Sequence, residues 1–554
     1  MWPIMPATEA TSTTKADLRT CSWQSVLAPA GFLVCFGILF YSLLASHMVQ
    51  PGPAGLYSGG STWGDLAWHL SMISNFAQRG VGAVRENPIF PGAKLSYPFL
   101  PDLLSAWLLK QGLSLQGSLI WPTLFAILAA IIEMYFLARS VEDSYEALWV
   151  PFLFLFNGTL AGMLYFWQDY HASQLSFLEF AAHPPHDYAH LIDHNIQFSN
   201  VISDYVLPQR AMVFGLALGL VAVRQLWNYW NGGKRAHLFY AGLALSLIPL
   251  VHFHSFVALA LAAAALFVIE ITQPERKQTM LNWLWFAVPV LLLALPQVVW
   301  IAPAHSHSFF RLQLGWMAGK ESAIWFWLKN LSPHLFVFAA AWHFSPPRFK
   351  RFWAAFLMVF LISNILIFQP HDFDNMKLML WSFLISCVGC AVLFAVLRQR
   401  YGWKGIVASL LLGASLSLTG AFSVYREFHL HWLMFSNDDI ALANYVRQHT
   451  PADAIFLTSD KHNHPIPCLA GRRIIMGYRG WLWTHGIDYH SRESDIFQMY
   501  SGSAQMPELM RKYDVSYVLL EFDKWRDFHE NLGLLLQSYP TVYQGSNYIL
   551  LQVK

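Results

Sequence analysis

The sequence predicts a polytopic α-helical membrane protein that carries a small α/β domain at its C-terminal end, and three observations predict it. Of 554 residues, 55% are hydrophobic and only 12% are Asp, Glu, Lys or Arg, about half the charged share of an ordinary soluble domain. Too little polar surface exists to cover a water-soluble body of this size. Apolar runs of roughly the 20 residues needed to cross a bilayer recur along the chain. The last stretch, residues 426–554, alternates short helical and extended patterns instead. A mean hydropathy of +0.38 and 24 Trp residues agree, because amphipathic aromatics concentrate at membrane interfaces.

The apolar runs fall at residues 28–47, 119–139, 146–166, 209–228, 237–253, 255–271, 281–301, 325–343, 350–369, 376–397 and 404–424. A weaker run at 98–113 makes the expectation about 11–13 transmembrane helices. Short basic loops at 232–237 (Lys234, Arg235), 274–278 (Arg276, Lys277), 347–351 (Arg348, Lys350, Arg351) and 398–404 (Arg398, Arg400, Lys404) should face the cytoplasm. They occupy every second gap. This predicts a cytoplasmic tail over 1–27, a membrane domain over 28–425 and an extracytoplasmic α/β domain over 426–554. Two long polar segments, 48–97 and 167–207, then lie on the outer face and are the natural hosts of function. In the last domain the pattern predicts helices over 438–449, after a Ser436/Asn437 cap, and over 506–512. Extended segments are expected at 454–459, 515–521 and 548–553.

Composition also excludes whole classes. With 35 basic against 33 acidic residues there is no cationic excess to hold nucleic acid. Cys21, Cys35, Cys387, Cys390 and Cys468 form no disulfide framework. The Cys387-x-x-Cys390 pair sits inside an apolar run, where packing explains it.

The first outer segment reads Ser61-Thr-Trp-Gly-Asp65-Leu-Ala-Trp-His69, and later Lys94-Leu-Ser-Tyr97-Pro-Phe-Leu-Pro-Asp102. Leu66, Leu70, Ile73 and Ala77 mark the apolar stripe of an interfacial helix that Gly80 ends. Asp65 and His69 are four apart and share a face. A half-buried carboxylate beside an imidazole suits a general base for a hydroxyl acceptor. Thr62 and Asp65 also have capping-box spacing, in which Asp65 merely closes the helix start.

The order of one crossing, an outer loop opening with Gly64-Asp65 and a His, a Pro-rich approach to Tyr97-Pro98 and Asp102, many further spans and an outer α/β tail resembles the GT-C superfamily of glycosyltransferases. That resemblance implies sugar transfer from a polyprenyl-phosphate-linked donor on the non-cytoplasmic face, with an acidic residue of the first outer loop as base or acceptor-orienting group. Asp65 is the matching position. Asp65 with His69 is the expected catalytic pair, and Tyr97 and Asp102 are expected substrate contacts. The tail segment Leu469-Ala-Gly-Arg472-Arg473-Ile-Ile-Met-Gly477-Tyr478-Arg-Gly480-Trp481, followed by His485-Gly486, is similar to outer domains appended to many bacterial GT-C proteins.

A second outer site reads Pro370-His371-Asp372-Phe-Asp374-Asn375-Met-Lys377. Asp372 and Asp374, flanked by the Asn375 amide, can hold a divalent cation, and Lys377 can meet a phosphate as a point charge. A metal-independent clamp would use Lys377 with Arg210, which stands at a helix start. Terminal Lys and Arg residues also simply snorkel at the bilayer boundary. In the second outer loop His186, His190 and His194 recur every four residues, a spacing that a helix would turn into a metal face. They serve equally as sugar contacts or solvated surface. His252 and His254 interrupt an apolar stretch, at an interface turn or in a working role.

The expected function is an inverting glycosyltransferase of a bacterial plasma membrane, taking a polyprenyl-phosphate sugar to a lipid, glycan or protein acceptor. Rival readings are a transporter or flippase of a lipid-linked intermediate and a non-catalytic glycan-binding homologue. No matching broken-helix halves support transport.

Overall fold

The computed structural model describes residues 23–302, 310–522 and 532–554, so most of the expected 1–27 tail lies outside the described residues. All eleven apolar runs contain helix. Seven are long and apolar enough to cross a membrane: Leu27–His47, Leu115–Val141, Arg210–Trp230, Phe253–Ile271, Arg276–Ile301, Asp372–Tyr401 and Trp403–Glu427. Residues 146–166 form a broken span, Tyr145–Leu155 with Leu160–Ala172, bent by 60°. The remaining three are shorter. Residues 237–253 yield only Ala236–Ser246, 325–343 are divided at Ser332 and Pro333, and 350–369 yield Pro347–Ser363. A helix of eleven residues such as Ala236–Ser246 rises about 16 Å, roughly half a hydrocarbon core. Hydropathy averages across such breaks, so the expectation of eleven crossings exceeds the long helices found among the described residues. The weak run at 98–113 is likewise a short helix, Leu100–Lys110.

Helix Met376–Tyr401 is the axle of the membrane part, with every residue from Met376 to Ala395 buried. Its apolar character on all sides is what a fully surrounded helix requires. At Gly389 a Cβ would stand 2.5 Å from Cζ3 of Trp353, so only glycine admits that ring. Lys377 lies in the first turn and Arg398 and Arg400 in the last, about 35 Å apart at 1.5 Å per residue. The basic loops gather at the Arg400 end. Arg398 Nε lies 2.5 Å from Glu146, Arg348 donates to the Asn231 carbonyl at 3.0 Å, and Arg400 stacks 5.1 Å from the Phe344 ring. The protein is thus an integral membrane protein whose basic end and Lys377 end are one bilayer apart.

The strands are β1 (Gln50–Gly52), β2 (Gly55–Ser58), β3 (Arg311–Leu312), β4 (Leu366–Ile367), β5 (Trp432–Ser436), β6 (Ile455–Leu457), β7 (Arg473–Ile474), β8 (Tyr517–Glu521), β9 (Thr541–Gln544) and β10 (Tyr548–Gln552). A five-stranded sheet, β7-β6-β8-β10-β9, forms the α/β domain; β6 runs parallel to β7 and β8, while β10 is antiparallel to β8 and β9. Helix Asn437–His449 opens with a capping box between Ser436 and Asp439, and Met506–Lys512 matches the expected helix. At the end of β8, burial works against ionisation of Glu521, but His464 and the Ser459 hydrogen bonds outweigh it and bring the carboxyl down to about 2. This domain is joined to the first outer loop, since β2 pairs antiparallel with β5.

A buried His–Glu contact joins the ends of two spans: His47 Nε2 lies 3.0 Å from Glu427 Oε2, at 0% and 2% exposure. Gly59 and Gly60 lie against it. Gly60 has φ +47°, and a Cβ there would meet Glu427 Oε2 at 1.9 Å. Gly60→Ala should therefore cost about 2 kcal/mol or more through backbone strain and overpacking. Thermal unfolding of the detergent-solubilised protein measures this, and an unchanged transition would refute the cradle.

Candidate functional site

Helix Thr62–Arg79 carries Asp65 and His69. Its start is not a capping box. The helix is preceded by Ser61, whose hydroxyl donates instead to the Ser203 carbonyl at 2.6 Å, and the buried Thr62 hydroxyl has no partner among the described residues. Asp65 is thereby released from the capping role that its spacing allowed. The helix also does not lie on an interface as one apolar stripe predicts, for Leu66 to Ala77 are buried without a break. The α/β domain covers the polar face: Ser74 donates to the Cys468 carbonyl at 2.7 Å and Asn75 to that of Gly471 at 3.2 Å.

Asp65 sits deep between the two parts of the protein yet keeps accessible surface, and its carboxylate accepts no hydrogen bond among the described residues. Burial raises its pKa above the ordinary 3.8; Lys377 and His69 pull it down, Asp374 adds to the rise, and His371 opposes. These four side chains are therefore its electrostatic neighbours. The first outer segment and the start of the axle helix, far apart in sequence, meet at this carboxylate.

Behind it lies a fully buried chain of three groups. His69 Nδ1 is 2.9 Å from Asp102 Oδ2, and Arg210 Nη1 donates to Asp102 Oδ1 at 3.0 Å. Arg210 spends its other donors on Ser105 at 2.6 Å and Thr123 at 3.1 Å. Because Asp102 accepts, His69 Nδ1 carries the proton. Two expectations are corrected by this geometry. Arg210 is 0% exposed with its guanidinium nitrogens all hydrogen-bonded, not poised as the open phosphate clamp expected of it, and Asp102 is 1% exposed with its two oxygens held by His69 and Arg210, not open as a substrate contact.

The second acidic segment divides in the same way. Lys377 Nζ lies 2.9 Å from Asp374 Oδ1, and both belong to the Asp65 neighbourhood. Asp372 turns away to Arg311 and to Gln313, whose amide donates to it at 2.7 Å. The Asp372/Asp374 cation pair is thus not formed, because each carboxylate is claimed by a different cation. Asn375, expected at the substrate, is buried and structurally engaged: it donates to the carbonyls of Ser363 at 2.9 Å and Leu366 at 2.6 Å, and accepts from Phe368 N at 3.1 Å. Among the described residues no three His, Cys, Asp or Glu side chains are arranged to hold a metal.

The histidine run 186–190–194 is not helical, since Pro184 and Pro185 precede it and only Ile192–His194 make a 3₁₀ turn. His186 packs near Tyr188, His194 stacks on Tyr165 at 4.0 Å, and His190 pairs with Asp204 at 2.8 Å. Among the described residues the three imidazoles therefore share no face. His190 does stack at 4.9 Å on Phe373, which links the second outer loop to Asp374. His252 caps helix Phe253–Ile271 and bonds Ser255 at 2.8 Å, which accounts for it structurally. His254, 5.1 Å away, keeps a buried Nε2 without a partner among the described residues.

Sequence reasoning missed what the α/β domain brings to Asp65. His462 Nε2 donates to the Gly64 carbonyl at 2.5 Å and its ring stacks 4.7 Å from Trp63. His485 packs 4.9 Å from Trp68 and 5.4 Å from Tyr97. Burial raises the Tyr97 pKa well above 10, with Asp65 the strongest neighbouring charge. The signal available was the aromatic density of residues 478–485, which periodicity cannot assign to a site some 400 residues earlier.

No family profile and no curated protein matches the chain. Solved structures do. The archaeal oligosaccharyltransferase AglB from Archaeoglobus fulgidus superposes with a TM-score of 0.53 at 12% identity, over 94% of this chain and 73% of that one. ArnT from Cupriavidus metallidurans gives 0.54 at 11% identity, over 95% and 98%. The mycobacterial arabinofuranosyltransferase AftD gives 0.51 at 13%, over 89% of this chain but 36% of the other. The chain has the fold of these structures, the GT-C fold.

Proposed function

We propose that the protein is a glycosyltransferase that moves a sugar from a polyprenyl-phosphate donor to a hydroxyl acceptor at the outer face of a bacterial plasma membrane. The observation that carries this reading is the placement of Asp65: deep, accessible, free of a capping role, and opposite the Lys377–Asp374 pair at the end of the axle helix remote from the basic loops. The fold of the AglB structure, which holds a dolichol-phosphate and an inhibitory peptide, supports a lipid-linked donor and a separate acceptor. In this reading Asp65 takes the proton of the incoming hydroxyl as its oxygen attacks the anomeric carbon. The bond from that carbon to the phosphate oxygen breaks, and the electron pair leaves with the polyprenyl phosphate. Lys377 faces the charge that develops there, and attack opposite the leaving group inverts the anomeric centre. His69, oriented by Asp102, backs Asp65.

A divalent cation does not fit the donor set at Asp372 and Asp374, whose carboxylates are held by Arg311 and Lys377. Purified protein in nanodiscs, supplied with a panel of undecaprenyl-phosphate sugars and extracted membrane glycolipids, tests the reading by product mass. Transfer should proceed at an unchanged rate after treatment with EDTA. Absence of transfer with every donor would remove the enzymatic reading, and a chelator-sensitive rate would return a cation to the site.

A further inference from the structure

Between Asp65 and the α/β domain the structure holds a box of aromatic and imidazole rings. Trp63 and Trp68 flank Asp65 in sequence and Tyr97 comes from the same outer loop; His462, Trp481 and His485 come from the α/β domain. The rings touch across the domain boundary: Trp68 lies 5.8 Å from Trp481 and 4.9 Å from His485, and Trp63 lies 4.7 Å from His462. Two polar atoms in this box are buried without a partner among the described residues, the Trp68 indole N–H and Nδ1 of His462. Leaving such a group unsatisfied costs about 1–3 kcal/mol, so each calls for a physical explanation.

His462 donates through Nε2 to the Gly64 carbonyl, so its Nδ1 is an acceptor, whereas the Trp68 indole is a donor only. Burial lowers the pKa of both imidazoles, that of His485 to about 4, which keeps them uncharged at neutral pH. Arg479, two residues before Trp481, is committed to Asp460 at 2.7 Å and Glu493 at 2.6 Å. The walls are therefore ring faces, none of them charged at neutral pH, that hold one buried donor and one buried acceptor without partners among the described residues. A sugar ring has the matching surface, a C–H face that lies on aromatic rings and a rim of hydroxyls that both donate and accept.

We propose that this ring box is a subsite for an uncharged sugar ring, and that the α/β domain is through it a part of the substrate site. The proposal rests on the glycosyltransferase reading and names the class of group that its site receives. The ring belongs either to the donor or to a glycan acceptor.

Native mass spectrometry of the full chain in detergent tests it without turnover. The probes are bare undecaprenyl phosphate, the same lipid carrying glucose, galactose, mannose or arabinose, the lipid carrying glucuronate, and octyl β-glucoside as a neutral acceptor ring. The wild type should bind at least one neutral-sugar lipid, or the glucoside, tenfold or more tightly than the corresponding sugar-free probe, octanol serving for the glucoside. W481A and H485A should lose that preference while binding bare undecaprenyl phosphate as before, and W481F, which keeps an aromatic face, should retain it. Loss confined to the sugar lipids assigns the ring to the donor; loss confined to the glucoside assigns it to the acceptor. The proposal is overturned if the wild type has no such preference, if W481A and H485A keep it, if they weaken bare lipid equally, or if glucuronate lipid binds as well as the neutral ones. Failure of transfer with intact sugar preference would instead strike the catalytic reading alone.

Discussion

Asp65→Asn should lower kcat by about 10²–10⁴-fold, the usual range for loss of a positioned base, and at the same time raise thermal stability at neutral pH. Both effects follow from one fact, that burial holds the Asp65 carboxyl above its ordinary pKa. An Asp whose folded pKa is raised favours its protonated form in the native state. Its stabilising contribution is complete below the unfolded value near 3.8 and is lost as pH rises through the folded value. At pH 7 burial opposes the charged form that the unfolded chain carries freely, and asparagine removes that cost. The gain should vanish below pH 3.8, where both forms are neutral. The activity of the wild type should fall as pH decreases through the raised pKa, because a protonated Asp65 cannot accept the acceptor's proton. Turnover against pH for wild type and D65N, with thermal unfolding at pH 7 and pH 3.5, measures both. Full activity of D65N would remove the base, and a variant less stable than wild type at pH 7 would show that Asp65 is structural.

Much of this architecture was legible because bilayer physics is severe. An all-apolar run such as residues 376–397 has few alternatives to a spanning helix, and the positions of Arg348, Arg398 and Lys404 mark one end of the bundle. Length was less legible than existence, for a Pro or Ser break like that at Ser332 and Pro333 shortens a helix without lowering mean hydropathy. In the site, local spacing placed Asp65 and His69 as neighbours on one helix. It failed where partners are non-local: whether Asp102 or Asn375 faces substrate depends on Arg210, Ser363 and Leu366, none of which shares its element. The ring box was invisible for the same reason, since Trp68 and His485 belong to segments that only β2–β5 pairing and the packing of helix Thr62–Arg79 against the α/β domain bring into register.

Arg210→Ala should destabilise the fold by about 3–5 kcal/mol, the cost of removing one partner of a buried ion pair. The magnitude comes from what is left behind. Asp102 is 1% exposed, and without the guanidinium it retains only His69 as a partner, while Ser105 and Thr123 each lose a hydrogen bond. Arg210→Lys should rescue little, because an ammonium cannot bridge three partners with the planar fork that joins Asp102, Ser105 and Thr123. Replacing the pair together, Asp102→Leu with Arg210→Met, should recover most of the stability, since no uncompensated charge remains. That double variant should still transfer sugar slowly, because His69 would then have lost the acceptor that fixes its ring. Thermal unfolding of the single and double variants, with donor KM and kcat for whichever remain folded, separates this role from a phosphate clamp. A clamp predicts that Arg210→Ala folds normally and raises the donor KM. The buried bridge predicts the reverse: loss of fold in the single variants, and in the double variant a reduced kcat at an unaltered donor KM. An Arg210→Ala protein as stable as wild type would overturn the bridge and return Arg210 to the substrate.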